Sequence, residues 1–229
     1  MKKILFLWLL LSAVNASAQF TLSVTPQAGK NLSGTFFKDF RTTYNSANAA
    51  SLDKNMGDPS FVYGYGVNFG YRILRLASSV NRDYLWAGTS ASFKNGAKRI
   101  IDYEYKLTTV DIGYFHPGES HEFTIELGLA HAVISQYSYI KLPNGELDYR
   151  AGGVSANNNW TNLGMNLKFM YLKPISDNLL FHFQASGIYI NNENEVAPRI
   201  LLGTEEATLT LKALTVGAGL TYRFGAYID

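Results

Sequence analysis

Phe61-Val62-Tyr63-Gly64-Tyr65-Gly66-Val67-Asn68-Phe69-Gly70-Tyr71-Arg72-Ile73 is the stretch that decides the fold class. Its odd positions are apolar or aromatic and its even positions are mostly glycine, Asn68 and Arg72. A period of two held over this length describes a β-strand with one greasy face and one small or polar face. A helix would scatter the same residues around its whole circumference.

The same alternation recurs on both sides of this segment. Over 123–133, Phe123, Ile125, Leu127, Leu129 and Val133 oppose Glu122, Thr124, Glu126 and Gly128. Over 162–172, Leu163, Met165, Leu167, Phe169 and Tyr171 oppose Asn162, Gly164, Asn166 and Lys168. Residues 179–189 set Leu179, Phe181, Phe183 and Tyr189 against His182, Gln184 and Ser186. Residues 214–224 set Leu214, Val216, Ala218, Leu220, Tyr222 and Phe224 against Gly217, Gly219, Thr221 and Arg223.

Three further strands carry the pattern less openly. Residues 20–31 alternate, with Pro26 forfeiting a ladder hydrogen bond and predicting an irregularity. Residues 84–94 place Leu85, Ala87, Ala91 and Phe93 on one face. Residues 101–115 change phase near Thr108-Thr109, from Tyr103 and Tyr105 to Val110, Ile112 and Tyr114, which predicts either a bulge or an extension beyond a membrane. The expectation is an all-β chain: an eight-stranded antiparallel up-and-down transmembrane β-barrel.

Connection lengths support this topology. The segments after strands one, three, five and seven are 32–60, 95–100, 140–159 and 192–206; those after strands two, four and six are 74–82, 116–121 and 174–178. Outer-membrane barrels have long extracellular loops and short periplasmic turns. Aromatics are expected in two girdles: Phe61, Tyr63, Tyr103, Tyr105, Tyr137, Tyr139, Trp160 and Tyr189 at the outer ends, and Tyr71, Trp86, Tyr114, Phe123, Tyr171, Phe181, Tyr222 and Phe224 at the inner ends.

The N-terminus reads as a signal peptide over 1–18: Lys2 and Lys3, an apolar run from Ile4 to Leu11, and Ala16-Ser17-Ala18 with cleavage before Gln19. The apolar run is shorter than the roughly 20 residues of a spanning helix. The barrel domain then occupies 19–229. Without Lys2 and Lys3, the 20 basic residues fall to 18 and balance the 18 acidic ones. That balance disfavours nucleic acid as a partner. The absence of cysteine removes disulfides and thiolate metal sites.

With its signal peptide, its amphipathic strands and the terminal run Gly219-Leu220-Thr221-Tyr222-Arg223-Phe224, the mature chain resembles the small outer-membrane β-barrel proteins of the OmpA/OmpX type. The Ala-Ser-Ala-Gln junction and the loop style are similar to versions from Bacteroidetes. The resemblance implies location in the outer membrane of a Gram-negative cell, with outer-membrane lipids and lipopolysaccharide around a monomer. Such barrels often end on the aromatic residue, whereas Gly225 to Asp229 follow Phe224 here.

The candidate site residues are the charges of the inward face: Arg72, Asp111, Glu126, Lys168, His182, Gln184 and Arg223. An eight-stranded barrel is only wide enough for side chains to fill its interior, so these groups are expected to pair as a hydrogen-bonded plug. A narrow conduit for small solutes or ions is the alternative.

Other constellations are weaker. Glu122 and Glu126 lie ~13 Å apart along a strand, beyond the roughly 5–9.5 Å of glycosidase pairs. His116 and His121 flank a short turn with Glu119 but lack a convincing third and fourth metal ligand. His131 and Ser135 are also ~13 Å apart on one strand, too far for a nucleophile and its base. No cofactor, metal or catalytic residue is expected. The leading expectation is a non-enzymatic barrel, structural or engaging an extracellular partner through 32–60, 140–159 and 192–206. A conduit and a lipid-modifying enzyme are the alternatives.

Overall fold

The computed structural model describes residues 18–32, 35–118, 120–148, 158–190 and 211–224. The proposed signal peptide and the 192–206 segment lie outside them. The elements are β1 (Ala18–Asn31), α1 (Thr35–Ala47), β2 (Leu52–Lys54), β3 (Phe61–Ile73), β4 (Leu76–Phe93), β5 (Lys98–His116), β6 (Glu122–Lys141), β7 (Leu147–Asp148), β8 (Asn158–Pro174), β9 (Leu179–Ile190) and β10 (Leu211–Phe224). Among the described residues no helix is long and apolar enough to cross a membrane.

Eight strands close a ring in the order β1-β3-β4-β5-β6-β8-β9-β10, every contact antiparallel, with β10 returning to β1. Closure leaves no ring strand with an unpaired edge, which a lipid environment demands. The short strands β2 and β7 add to β4 and β6 at one end of the ring, the upper end.

The stagger is measurable from the pairing. Tyr71 faces Ser78, then Ile112, Leu127, Leu167, Gly187, Leu214 and Lys30, and the circuit re-enters β3 at Phe61. The return from position 71 to position 61 is a stagger of ten residues. Stagger and strand number together fix the tilt of such a barrel, typically ~35–45°. Every residue on that circuit is on the outward parity, so the apolar faces read from sequence point out together.

The outward face is apolar across a continuous band. Val110, Ile112, Leu127, Leu129, Leu163, Leu167, Val216 and Leu220 are all exposed. In water such an area would be an aggregation surface; against lipid it is solvated. At its lower edge aromatic rings meet in pairs: Phe20 with Phe69 and Tyr71, Tyr114 with Phe123, Phe123 with Phe169, and Tyr222 with Phe224. This is the inner girdle expected from the sequence.

Four expectations need correction. The predicted connection 74–82 is a two-residue turn, Leu74-Arg75, because β4 begins at Leu76. Polar outward residues Ser78 and Arg82 had disguised this part of the strand. Trp86 consequently lies toward the upper end, where its ring meets Tyr63 and Tyr65. Tyr103 and Tyr105 are inside the barrel, 1 % exposed each, rather than in the outer girdle. Leu85, Ala87 and Ala91 also point inward.

One physical cause underlies the last two corrections. A tilted strand needs only ~9–11 residues to cross the bilayer, whereas β4, β5 and β6 have 18, 19 and 20. Their upper parts stand in water, where the apolar side must face in. On β5 the outward residues change from Val110 and Ile112 to Lys106, Glu104 and Asp102, while Ile101, Tyr103, Tyr105 and Leu107 fill the interior. Pairing on both flanks of β5 runs unbroken through Thr108-Thr109. The phase change is therefore the extension beyond the membrane, and not a bulge.

Candidate functional site

The interior has two storeys of opposite chemistry. The lower is polar and ionic, built from inward residues of the membrane-spanning segments. Glu122 at the start of β6 is held by two guanidinium groups, Arg72 at 3.1 Å and Arg223 at 3.0 Å. The Arg72 guanidinium also lies 5.0 Å from the centre of the Phe115 ring.

Above this clamp, Lys168 donates to Glu126 at 2.8 Å and lies 3.3 Å from Asp111. Its ammonium also reaches Ser79 Oγ at 2.7 Å and Asn81 Oδ1 at 3.0 Å. Asp111 accepts from Asn81, Thr109 and Asn166, while Ser79 donates to Glu126 at 2.5 Å. Asn68 completes the group through Asn81. Lys168 and Asp111 are each 1 % exposed, so the charges are desolvated and depend on one another.

A third group lines β1, β9 and β10. His182 bridges Thr25 at 2.8 Å and Thr221 at 2.9 Å, and Thr221 meets Ser23 at 2.8 Å. Gln27 donates to Asp83 at 2.8 Å and accepts from Thr215 at 3.0 Å. Gln184 donates to Ser186.

All seven residues singled out from the sequence, Arg72, Asp111, Glu126, Lys168, His182, Gln184 and Arg223, are buried in this interior. Arg72 and Arg223 converge on Glu122, and Asp111, Glu126 and Lys168 converge on one another; His182 and Gln184 bond within other groups. Ser79 and Asn81, concealed by the mistaken 74–82 connection, and Asp83, just before the expected strand 84–94, are additional members. Their parity with Leu85 and Ala87 was the signal available in the sequence. Inward glycines make the crowding possible: a Cβ on Gly128 would lie 2.0 Å from Asp111 Oδ1, and one on Gly66 would lie 2.1 Å from Asp83 Oδ1.

The upper storey is apolar. Leu85, Ile101, Leu107, Ile134, Ile188 and Ile190 form its core with Tyr103 and Tyr105. Residues 44–56 pack onto it from above. Asn45 on α1 clasps the backbone of Met56, accepting from its N–H at 2.8 Å and donating to its carbonyl at 3.1 Å. The Met56 side chain, 2 % exposed, and Leu52 enter the core, with Tyr44 packed against it. Arg41 and Asp58 pair across the same segment. Burial raises the Tyr44 phenol pKa, with Arg99 pulling the other way. Burial also lowers Arg99, offset in part by Tyr44.

The weaker constellations do not assemble. His116 stacks on Phe123 and contacts Arg75, whereas His121 bonds Ser120 and stacks on Tyr171; Glu119 lies outside the described residues. Among the described residues no group of three metal-ligating side chains converges. His131 and Ser135 share the outward parity of β6, four residues apart. Tyr137 and Tyr139 face outward above the band, donating to Glu104 and Asp102 of β5. The Trp160 side chain is outside the described set.

A closed ring of eight antiparallel strands with a filled interior and an apolar exterior is on its own diagnostic. The fold is that of the small outer-membrane β-barrel proteins. The outer-membrane protein OprG of Pseudomonas aeruginosa superposes with a TM-score of 0.61 at 13% identity, covering 92% of this chain and 98% of that one. Ail of Yersinia pestis, solved with the heparin analogue sucrose octasulfate, superposes with a TM-score of 0.47 at 11% identity, covering 91% and 99%. The protease OmpT of Escherichia coli reaches 0.48 at 8% identity, covering 90% and 96%. No family model and no curated protein matches the sequence.

Proposed function

We propose that this chain is an outer-membrane protein of a Gram-negative cell, neither a conduit nor an enzyme, that works through the part of the barrel standing outside the lipid. The observation that carries this reading is the change of polarity along β5. Its upper segment turns charge outward and packs apolar side chains inward, as a water-exposed domain does. The extension is thus a folded platform, and loops held on rigid scaffolds are where binding residues concentrate.

The closed interior disfavours passage. A permeating ion would meet paired charges below and a greasy core above, and each pair it broke would leave a desolvated charge costing ~3–5 kcal/mol. The OmpA/OmpX-type resemblance, with its Bacteroidetes-like junction, supports the placement in the outer membrane. The segments 32–60, 140–159 and 192–206, expected from the sequence as the long loops, are the surfaces through which a partner would be met.

Two measurements test this. In planar bilayers the full chain is expected to give no unitary conductance steps, and resolvable steps overturn the closed lumen in favour of the conduit. Replacing residues 90–100 by a two-residue turn between Thr89 and Ile101 removes the tip of the β4–β5 hairpin. The shortened chain is expected to keep heat-modifiable migration in gels and to fail to complement deletion of the gene. Full complementation overturns the role of the platform.

A further inference from the structure

The lipid-facing surface is not uniformly convex. A groove of about 470 Å³ opens on it, with Pro26, Ala28 and Val216 at its floor and Tyr63, Tyr65 and Trp86 as a wall. Its origin is local. Pro26 has no N–H to donate, and the β1–β10 pairing omits both Thr25 and Pro26 although the same register resumes at Gln27. The small side chains of β1 then sit beside large rings on β3 and β4, leaving a trough between them.

The groove lies in the extracellular half of the band and ends under two cations. Lys30 is the next outward residue of β1 after Ala28, and Lys212 is the second outward residue of β10 above Val216. Lys30 is directly opposite Leu214, so the two lysines are diagonal neighbours on adjacent strands, a spacing of ~7–8 Å between backbones. Both are exposed, and the Lys212 ammonium lies 5.4 Å from the centre of the Tyr189 ring. The outward residues of β1, β3, β4 and β10 include no carboxylate. The lysines therefore have no counter-charge on the strands that form the groove.

We propose that the groove holds one acyl chain of a phosphorylated outer-leaflet glycolipid, with a phosphate of its headgroup seated between Lys30 and Lys212. This rests on the outer-membrane placement proposed above. The groove is open along its length to the lipid, so a chain lying in it touches protein on one side and bilayer on the other. Its lining matches a hydrocarbon, and a chain entering it exchanges lipid neighbours for the Tyr63, Tyr65 and Trp86 rings, so its gain is van der Waals packing rather than transfer from water. The cations stand where an acyl chain lying in the groove would end in its charged headgroup.

The test is native mass spectrometry of the full chain in detergent, titrated with diphosphoryl lipid A, dephosphorylated lipid A and phosphatidylethanolamine. Wild type is expected to retain diphosphoryl lipid A at least tenfold more tightly than either other lipid. Lys30→Ala with Lys212→Ala is expected to abolish that preference. Ala28→Trp, which fills the groove from the outward face, is expected to weaken retention at least tenfold with both lysines present. Lys173→Ala, at the opposite edge of the band, is the control and is expected to behave as wild type. Equal retention of the dephosphorylated lipid, or an unchanged preference in the double variant, overturns the phosphate seat. Unchanged retention by Ala28→Trp overturns the acyl groove. Heat-modifiable migration of every variant is read in parallel, so that a failure of this site is distinguishable from a failure of the membrane assignment.

Discussion

Glu126 and Lys168 are paired twice over: their backbones face each other across β6 and β8, and their side chains meet at 2.8 Å inside the barrel. Cross-strand pairing thus delivers the two charges to one point without any loop to position them. Lys168 is more than half of a pair, since Asp111 shares its ammonium. Removing the cation strands two carboxylates, whereas neutralising one carboxylate leaves the other in place. Lys168→Met is therefore expected to lower stability by ~3–5 kcal/mol and Glu126→Gln by clearly less, as read from urea unfolding in lipid vesicles. Equal losses would show that Asp111 does not share the lysine.

Leu74 forms the β3–β4 turn at a φ of 52°, the left-handed region, with its side chain exposed. A leucine there carries a steric cost of ~1–2 kcal/mol, while asparagine tolerates the conformation and suits two-residue hairpins. Leu74→Asn is expected to stabilise the barrel by up to ~1 kcal/mol, within that steric cost. A lowered unfolding midpoint would mean that the leucine is held there by lipid contact.

The apolar upper storey predicts a local failure rather than a global one. Leu85 and Tyr105 are buried there, above the ionic storey. Replacing either with alanine leaves a cavity that costs ~2–5 kcal/mol, concentrated in the part of the barrel that water surrounds. Leu85→Ala is expected to make 85–107 sensitive to added protease while the membrane-spanning part still migrates as a folded barrel. Loss of heat-modifiable migration would show that the two storeys unfold as one.

The parts of this fold legible in the sequence were those where a single solvent acts along the whole strand. β3, β8 and β10 meet lipid on one side and the interior on the other, so their parity is constant and was read correctly. Both ends of β3 and the last residue of β10 were found, while β8 and β10 begin four and three residues earlier than expected. β4 and β5 pass from lipid into water, and the greasy face exchanges sides at the boundary. Alternation alone does not say which side is greasy, and Tyr103, Tyr105, Leu85, Ala87 and Ala91 were misplaced for that reason, whereas Trp86 was assigned to the wrong end because β4 starts at Leu76. The ionic partners were legible as types, because Arg72, Glu126 and Lys168 each interrupt an apolar alternation. Lys168 meets Glu126 through the register of two neighbouring strands, but Arg72 on β3 meets Glu122 on β6 across the lumen, and that contact depends on the ten-residue stagger of the closed ring rather than on any strand.

Arg82 marks the boundary itself. It occupies the outward face of β4 between Val80 and Tyr84, and its guanidinium bonds the Thr108 hydroxyl while lying 5.4 Å from the Tyr84 ring centre. Both anchors are on the water side of the band's middle, so the long side chain reaches toward the headgroups. A cation on the lipid face costs ~2–4 kcal/mol at the midplane and ~0–1 near the interface. Arg82→Leu is therefore expected to change vesicle unfolding stability by no more than ~1 kcal/mol. Val80→Arg, one outward position deeper, is expected to cost ~2–4 kcal/mol. If the two substitutions prove equally mild, Val80 already lies in the headgroup layer, and the lipid band begins lower on β4 than the exposed aliphatic residues indicate.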